Sequence, residues 1–221
     1  CQGEWVKGIA GDDLLMPNCI AECVEYVQQH PNVIYLFGRI EAFGASEEQN
    51  KYFSEKVFDY SFFDLDVDGQ LERLVFGSNC VPASTCFYNR QKSIVLGIRN
   101  DERIPLLEDW PKWINLLRVG VKLHFVDKLL VFYRVNGIST GASMSMAYYR
   151  SNRLFRFYYC YQEWQKENFE SAVNKMVNEE CKVYQYFLDV EKQLQQIRSS
   201  KAYCIGKALL KPFRYMKNIL K

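Results

Sequence analysis

The chain has 221 residues, 48% of them hydrophobic and 24% charged, with only 12 Gly and 6 Pro. This excludes a disordered, collagenous or low-complexity polymer, and no apolar run approaches the roughly 18–20 residues of a spanning helix. A formal net charge of +2 is too small for a nucleic-acid binder, although it hides −5 over residues 1–146 and +7 over residues 147–221.

The length suggests one domain with an appendage. Eight cysteines contain no CxxC pair and there are only two histidines, so zinc is not expected and the thiols read as small core residues of a reducing cytosol. In chain order, Trp5 to Ala10 is a short buried strand ending in the acidic Gly11-Asp12-Asp13. Pro17 then opens a helix whose apolar residues Ile20, Cys23, Val24 and Val27 recur at helical spacing. Val33 to Phe37 is a second buried strand, so the first forty residues predict a βαβ unit and an α/β sheet. Residues 39–68 read as irregular and acidic. Their Asp64, Asp66, Asp68 and Gly69 spell part of a calcium loop, but Val75 stands where its glutamate belongs, which favours a solvated turn.

Leu71 to Phe76 predicts a short helix ended by Gly77, Ala83 to Tyr88 a strand, and Arg90 to Leu96 a helix capped by Gly97. A further helix opens at Leu106, with Pro111 in its first turn, Trp113, Leu116 and Leu117 on one face, and Gly120 at its end. Lys122 to Val135, rich in β-branched and aromatic residues, predicts two strands or one bent strand. Beyond Met146 the pattern becomes helical. Tyr148 to Trp164 is aromatic, and a stripe from Val173 to Ile197 makes one long amphipathic helix, broken at Ser199-Ser200. Tyr203 to Leu220 predicts a last helix.

Two acidic pairs could carry chemistry. Asp12 and Asp13, beside a Gly at a strand end, suit a divalent cation that bridges phosphate oxygens, although the same residues make an ordinary turn. Glu108 and Asp109, at a helix start, either complement the helix dipole or supply a general base. Trp110 and Trp113 beside them offer flat faces on which sugar rings stack, with core packing as the plainer alternative. Arg134 closes an apolar strand, where a buried ion pair and a phosphate contact are the two readings. His124 alternates with apolar residues and reads as a core histidine.

The order of these pieces carries a resemblance. Trp5-Val6-Lys7-Gly8-Ile9-Ala10-Gly11-Asp12-Asp13-Leu14-Leu15-Met16-Pro17 resembles the metal-site strand of family-2 glycosyltransferases of the GT-A fold. Leu107-Glu108-Asp109-Trp110-Pro111-Lys112-Trp113 resembles their ED motif, and the stretch from Gly120 through Asp127 to Tyr133-Arg134 and Ser139 follows as in that family. Asn79-Cys80-Val81-Pro82-Ala83-Ser84 is similar to the segment that precedes the acceptor side. The resemblance runs over about residues 3–140. It implies that Asp12, with Asp13 as the second candidate, holds a divalent metal (Mg or Mn) on the donor diphosphate. It further implies that Asp109, beside Glu108, is the catalytic base, and that Asn79, Trp110 and Arg134 are substrate-binding. Ala10 stands where the first acid of the family's DxD motif is usual, and Asn136 where many members have a His.

The resemblance also implies an α/β fold class, namely the C-terminal, acceptor-side part of a GT-A-type sheet flanked by helices and followed by an all-helical extension. The expected division is 1–145 as a partial glycosyltransferase domain, 146–200 as long amphipathic helices and 201–221 as a basic amphipathic tail. Because the chain starts at Cys1 without Met, and the family's nucleotide-binding strands precede the DxD motif, truncation at the N-terminus is expected, with little activity for the fragment alone. The implied function is inverting, metal-assisted transfer from a nucleotide sugar to a saccharide or lipid-linked acceptor in bacterial surface polysaccharide biosynthesis. Nucleic acid is not an expected partner. The tail lacks any acid after Glu191 and alternates cations with apolar residues, so binding to an anionic membrane surface is expected, at the inner, cytoplasmic face. A non-catalytic α/β module that docks a partner or membrane through its helices is the alternative.

Overall fold

The computed structural model describes residues 1–135, 146–161, 169–203 and 205–206. The chain divides into two compact units, Cys1–Glu163 and Trp164–Lys221.

The first unit is mixed α/β, built on a five-stranded sheet of order β1-β4-β3-β5-β2. The strands are β1 (Trp5–Lys7), β2 (Leu14–Leu15), β3 (Tyr35–Phe43), β4 (Phe87–Asn89) and β5 (Leu123–Arg134). Only β3 and β5 pair in parallel; β4 is antiparallel to β1 and β3, and β2 to β5. The expected βαβ crossover therefore exists with a strand inserted: β1 and β3 run the same way, joined through α1 (Cys19–Gln29), and β4 lies between them.

Both faces of β3 are covered over Tyr35–Gly38, which is continuously buried, whereas Arg39 and Glu41 beyond it are exposed. On one face Leu36, Ile40 and Ala42 pack with Cys19, Cys23 and Val27 of α1 and with Leu130, Val131 and Val135. On the other, Tyr35 and Phe37 meet the Trp113 ring edge-on, at 6.1 and 5.1 Å between centroids. Trp113 comes from α5 (Asp109–Arg118), which packs beside α3 (Val67–Phe76). Each large side chain so buried stabilises the fold by about 1.5–3 kcal/mol.

The strand expected to end at Phe37 continues to Phe43. Gly38 reads as a terminator but acts as a gap: a Cβ there would lie 2.5 Å from Leu130 Cδ1. Opposite it β5 slips register, so Leu123–Arg134 forms one irregular strand, the second of the two forms expected for 122–135. Residues 39–68, expected to be irregular, instead complete β3 and form α2 (Glu47–Tyr52), a π turn and a 3-10 turn. Ser46 starts α2 by accepting from Gln49 N–H. The Asp64–Gly69 turn is a cap, because Asp66 accepts from Gly69 N–H at 2.8 Å and opens α3 four residues before the expected start. The expected strand at Ala83–Tyr88 is a 3-10 turn, Ala83–Thr85, followed by β4. Next, α4 (Arg90–Leu96) ends at Gly97 in the left-handed region, at φ 65°. After β5, α6 (Met146–Phe155) runs into a π turn, Arg156–Cys160.

The second unit holds α7 (Phe169–Ser199), a single helix of 31 residues that contains the predicted stripe. Ser200 closes it and opens the next turn, donating to Ile197 O and accepting from Tyr203 N–H. The expected basic tail lies outside the described residues from 207 onward, as do Ser139 and Asn136. Among the described residues no helix is long and apolar enough to cross a membrane. Cys19, Cys23, Cys80, Cys86 and Cys160 are buried free thiols, while the free thiols of Cys1 and Cys181 are exposed.

Candidate functional site

The acidic loop hangs between β1 and β2. Asp13 N–H closes its turn onto Ala10 O at 3.2 Å, which turns the Asp13 side chain inward until the residue is only 8% exposed. There Oδ1 accepts the backbone N–H of Arg134, the last residue of β5, at 2.9 Å. Arg134 returns the contact: its Nε donates to Asp12 O at 3.0 Å, and its guanidinium lies 4.4 Å from the centre of the Phe43 ring. Arg134 is exposed, so the buried ion pair considered for it does not form; its charge lies over the loop. The second Asp13 oxygen, Oδ2, is buried without a hydrogen-bond partner. Burial raises the Asp13 pKa, and neighbouring Asp12 adds to this, against the opposing Arg134 N–H and Lys7 charge.

Asp12 is half-buried, and its engaged atom is the backbone carbonyl, not the carboxylate. Among the described residues no group of three or more His, Cys, Asp or Glu is placed to hold a cation. One half-buried carboxylate beside an orphaned carboxylate oxygen is nevertheless a hard-oxygen donor set. It fits a Mg- or Mn-type ion that takes most of its ligands from substrate oxygens and water. It does not fit an ion caged by protein alone.

Asp109 begins α5, and the preceding Glu108, in helical geometry and exposed, makes no side-chain cap bond. The Asp109 oxygens are divided between two donors: Oδ1 accepts Trp110 N–H at 2.8 Å and Oδ2 accepts Asn79 Nδ2 at 2.7 Å. Burial raises the pKa of this carboxyl, with Glu108 reinforcing it and the two hydrogen bonds opposing. Tyr148 of α6 is close enough for the Asp109 charge to raise its own pKa, after burial as the larger cause. Sequence reading had no signal for Tyr148 beyond its place in an aromatic helix.

Trp110, expected as a sugar platform, is a core residue at 4% exposure. Its Nε1 donates to Leu74 O at 3.1 Å, Phe155 packs at 4.2 Å between centroids, and the Arg156 guanidinium lies 4.9 Å from the ring centre. Trp113 is 2% exposed. Arg156 donates to Val75 O and Gly77 O, which places a cation at the C-terminal end of α3. His124 is half-buried, and burial lowers its pKa.

The structure thus gathers Asp12, Asp13 and Arg134 into one group and Asn79, Asp109 and Tyr148 into another. Lys7, which sequence reading passed over, ties them. Its Nζ, half-buried at the end of β1, donates to Gly8 O at the start of the acidic loop and to Ser84 O in the segment that begins at Asn79. Burial lowers its pKa, while the Asp13 charge opposes the shift. The partners of Lys7 are carbonyls, which no residue pattern announces.

No protein-family model matches the chain. Over 158 residues it is 27% identical to a protein of Haemophilus influenzae named an uncharacterized glycosyltransferase. That alignment takes in 70% of this chain and 55% of the relative, so the chain spans about half the length of the curated protein to which it is similar.

Proposed function

We propose that the chain is part of an inverting glycosyltransferase that moves a sugar from a nucleotide-sugar donor to a hydroxyl of a saccharide or lipid-linked acceptor. The observation that carries this reading is Asp109: a carboxylate at a helix start, held on both oxygens by neutral donors and made more basic by burial. A group so held accepts a proton without moving, which is what a general base needs. The distant likeness to a protein named a glycosyltransferase supports the same class of chemistry.

In this reading the acceptor oxygen bonds to the anomeric carbon as the bond from that carbon to the diphosphate oxygen breaks, and the hydroxyl proton passes to Asp109. Asp12, with Asp13 beside it, would hold a divalent cation, which supplies charge neutralisation for the departing diphosphate. Arg134 projects its guanidinium over the same loop and adds positive charge where phosphate would lie. Lys7 keeps the loop fixed to the segment that carries Asn79. The natural place for such an enzyme is the cytoplasmic face of a bacterial membrane, in surface polysaccharide synthesis, with the cations after Glu191 facing anionic lipid.

Release of nucleoside diphosphate by the full-length protein, over a panel of nucleotide sugars with Mg or Mn, tests this. Release from at least one donor, dependent on the cation and lost in Asp109→Asn, is expected. Equal release by wild type and Asp109→Asn would overturn the assignment.

A further inference from the structure

We infer that Asn79 is the positioning residue of Asp109: its side-chain amide is held from behind by the chain's own backbone at Oδ1 and donates one N–H to Asp109 Oδ2. This deepens the reading of Asp109 as the base and rests on it. The two ends of an asparagine amide have nearly the same shape, so the neighbours decide which way it faces. Here Val81 N–H donates to Asn79 Oδ1 at 3.2 Å, which requires the oxygen at that end and leaves Nδ2 toward Asp109, at 2.7 Å. Each end of the amide is thus fixed in direction, with one N–H and one oxygen lone pair remaining.

The frame behind Asn79 is firm. Thr85 donates its hydroxyl to Pro82 O at 2.8 Å and accepts Gly38 N–H at 3.1 Å, which fastens the 79–85 segment to the central strand. Lys7 fastens the same segment to the end of β1. Asp109, through α5, is anchored by Trp110 and Trp113 in the core. Both partners of the Asn79–Asp109 bond are therefore held by separate rigid elements, and the bond sets which Asp109 lone pairs stay open.

The charged and titratable groups facing Asp109 are Glu108 on its own helix, Tyr148 on α6 and, through contact with Tyr148 and Trp110, Arg156. Asn79 is the side chain whose amide donates directly to Asp109 Oδ2. A bond given to an ionised carboxylate favours the ionised form, so its removal must move the titration of Asp109 upward.

The test follows the Asp109 carboxyl carbon by NMR in the full chain labelled at aspartate, its signal assigned by its loss in Asp109→Asn. Asn79→Leu is expected to raise the Asp109 midpoint by about one to two pH units, the usual worth of a hydrogen bond to a charged group. Asn79→Asp keeps the acceptor for Val81 N–H, sets a like charge beside Asp109, and is expected to raise the midpoint further. Asp101, held by Arg103 and Tyr159, stays ionised at low pH in every folded variant and reports an intact fold. An unmoved Asp109 midpoint in folded Asn79→Leu or Asn79→Asp overturns the inference. A shifted midpoint together with normal turnover by Asp109→Asn in the full-length protein also overturns it, because the bond would then position no base; in that case the reading of Asp109 fails first, and visibly.

Discussion

Asp109 and Asp13 are both carboxylates that burial pushes toward the protonated form, yet the fold treats them differently. Asp109 has one donor on each oxygen, one of them a side chain. Asp13 has one backbone N–H on Oδ1 and nothing on Oδ2. The first arrangement fixes a carboxylate in orientation and leaves its chemistry available. The second uses half of the group to staple the acidic loop to β5 and leaves the other half with an unmet bond. An orphaned buried oxygen is costly, and Asp13 Oδ2 carries that cost beside Asp12. The partnered Asp109 carboxylate carries no such cost.

The largest effect that separates them is kinetic. In the full-length protein Asp109→Asn should lower turnover by roughly 10²–10⁴, the usual worth of a general base, with donor KM little changed. Its effect on stability has a fixed sign with pH. The folded-state pKa of Asp109 lies above the unfolded value near 4, so the folded protein binds the extra proton and wild-type stability falls as pH rises through that window. Asp109→Asn should remove this slope. Urea midpoints between pH 4 and 8 decide it, and a slope unchanged in the variant would show that Asp109 is not the group responsible.

Asp13 should show the reverse balance, with stability affected first. Asp13→Ala takes the partner from Arg134 N–H and loosens β2 from β5, at a cost of about 1–3 kcal/mol. Equilibrium urea unfolding measures this as a lower midpoint at unchanged slope. A cost below about 0.5 kcal/mol would mean that the staple is replaced by solvent without loss.

How much of this could be read from sequence differs between the two groups. Helix ends were legible where their chemistry is local, as with Gly97 in the left-handed cap and Pro111 in the first turn of α5; the Asp66 cap, read as a solvated turn, was not. The acidic loop and Asp109 were legible as short motifs. What escaped depends on contacts distant in sequence. Gly38 interrupts β3 on paper, but its missing side chain is what lets Leu130 cross, so the strand runs six residues past the expected end. Trp110 looked like a platform beside two acids, and only the later helix that supplies Phe155 and Arg156 shows its faces to be covered. The tie made by Lys7 joins residues 77 positions apart through a carbonyl, and composition has no mark for that.

The smallest expected effect is the most discriminating. Asp12 is half-buried, and its engaged atom is a backbone carbonyl that Asp12→Asn leaves in place. Surface substitutions away from a cap, a core or a buried pair usually change stability by no more than about 0.5 kcal/mol, so this variant should unfold at nearly the wild-type urea midpoint. Its loss should instead appear as weaker cation dependence of nucleotide-sugar binding by the full-length protein, measured by calorimetric titration with Mg or Mn. Asn keeps one oxygen but loses the charge that a hard cation selects. Taken with Asp13→Ala, the pair separates two jobs in adjacent residues: one carboxylate that holds the loop and one that the loop presents. If Asp12→Asn proved as destabilising as Asp13→Ala while cation dependence stayed intact, both acids would belong to the turn, and the loop would have no metal to hold.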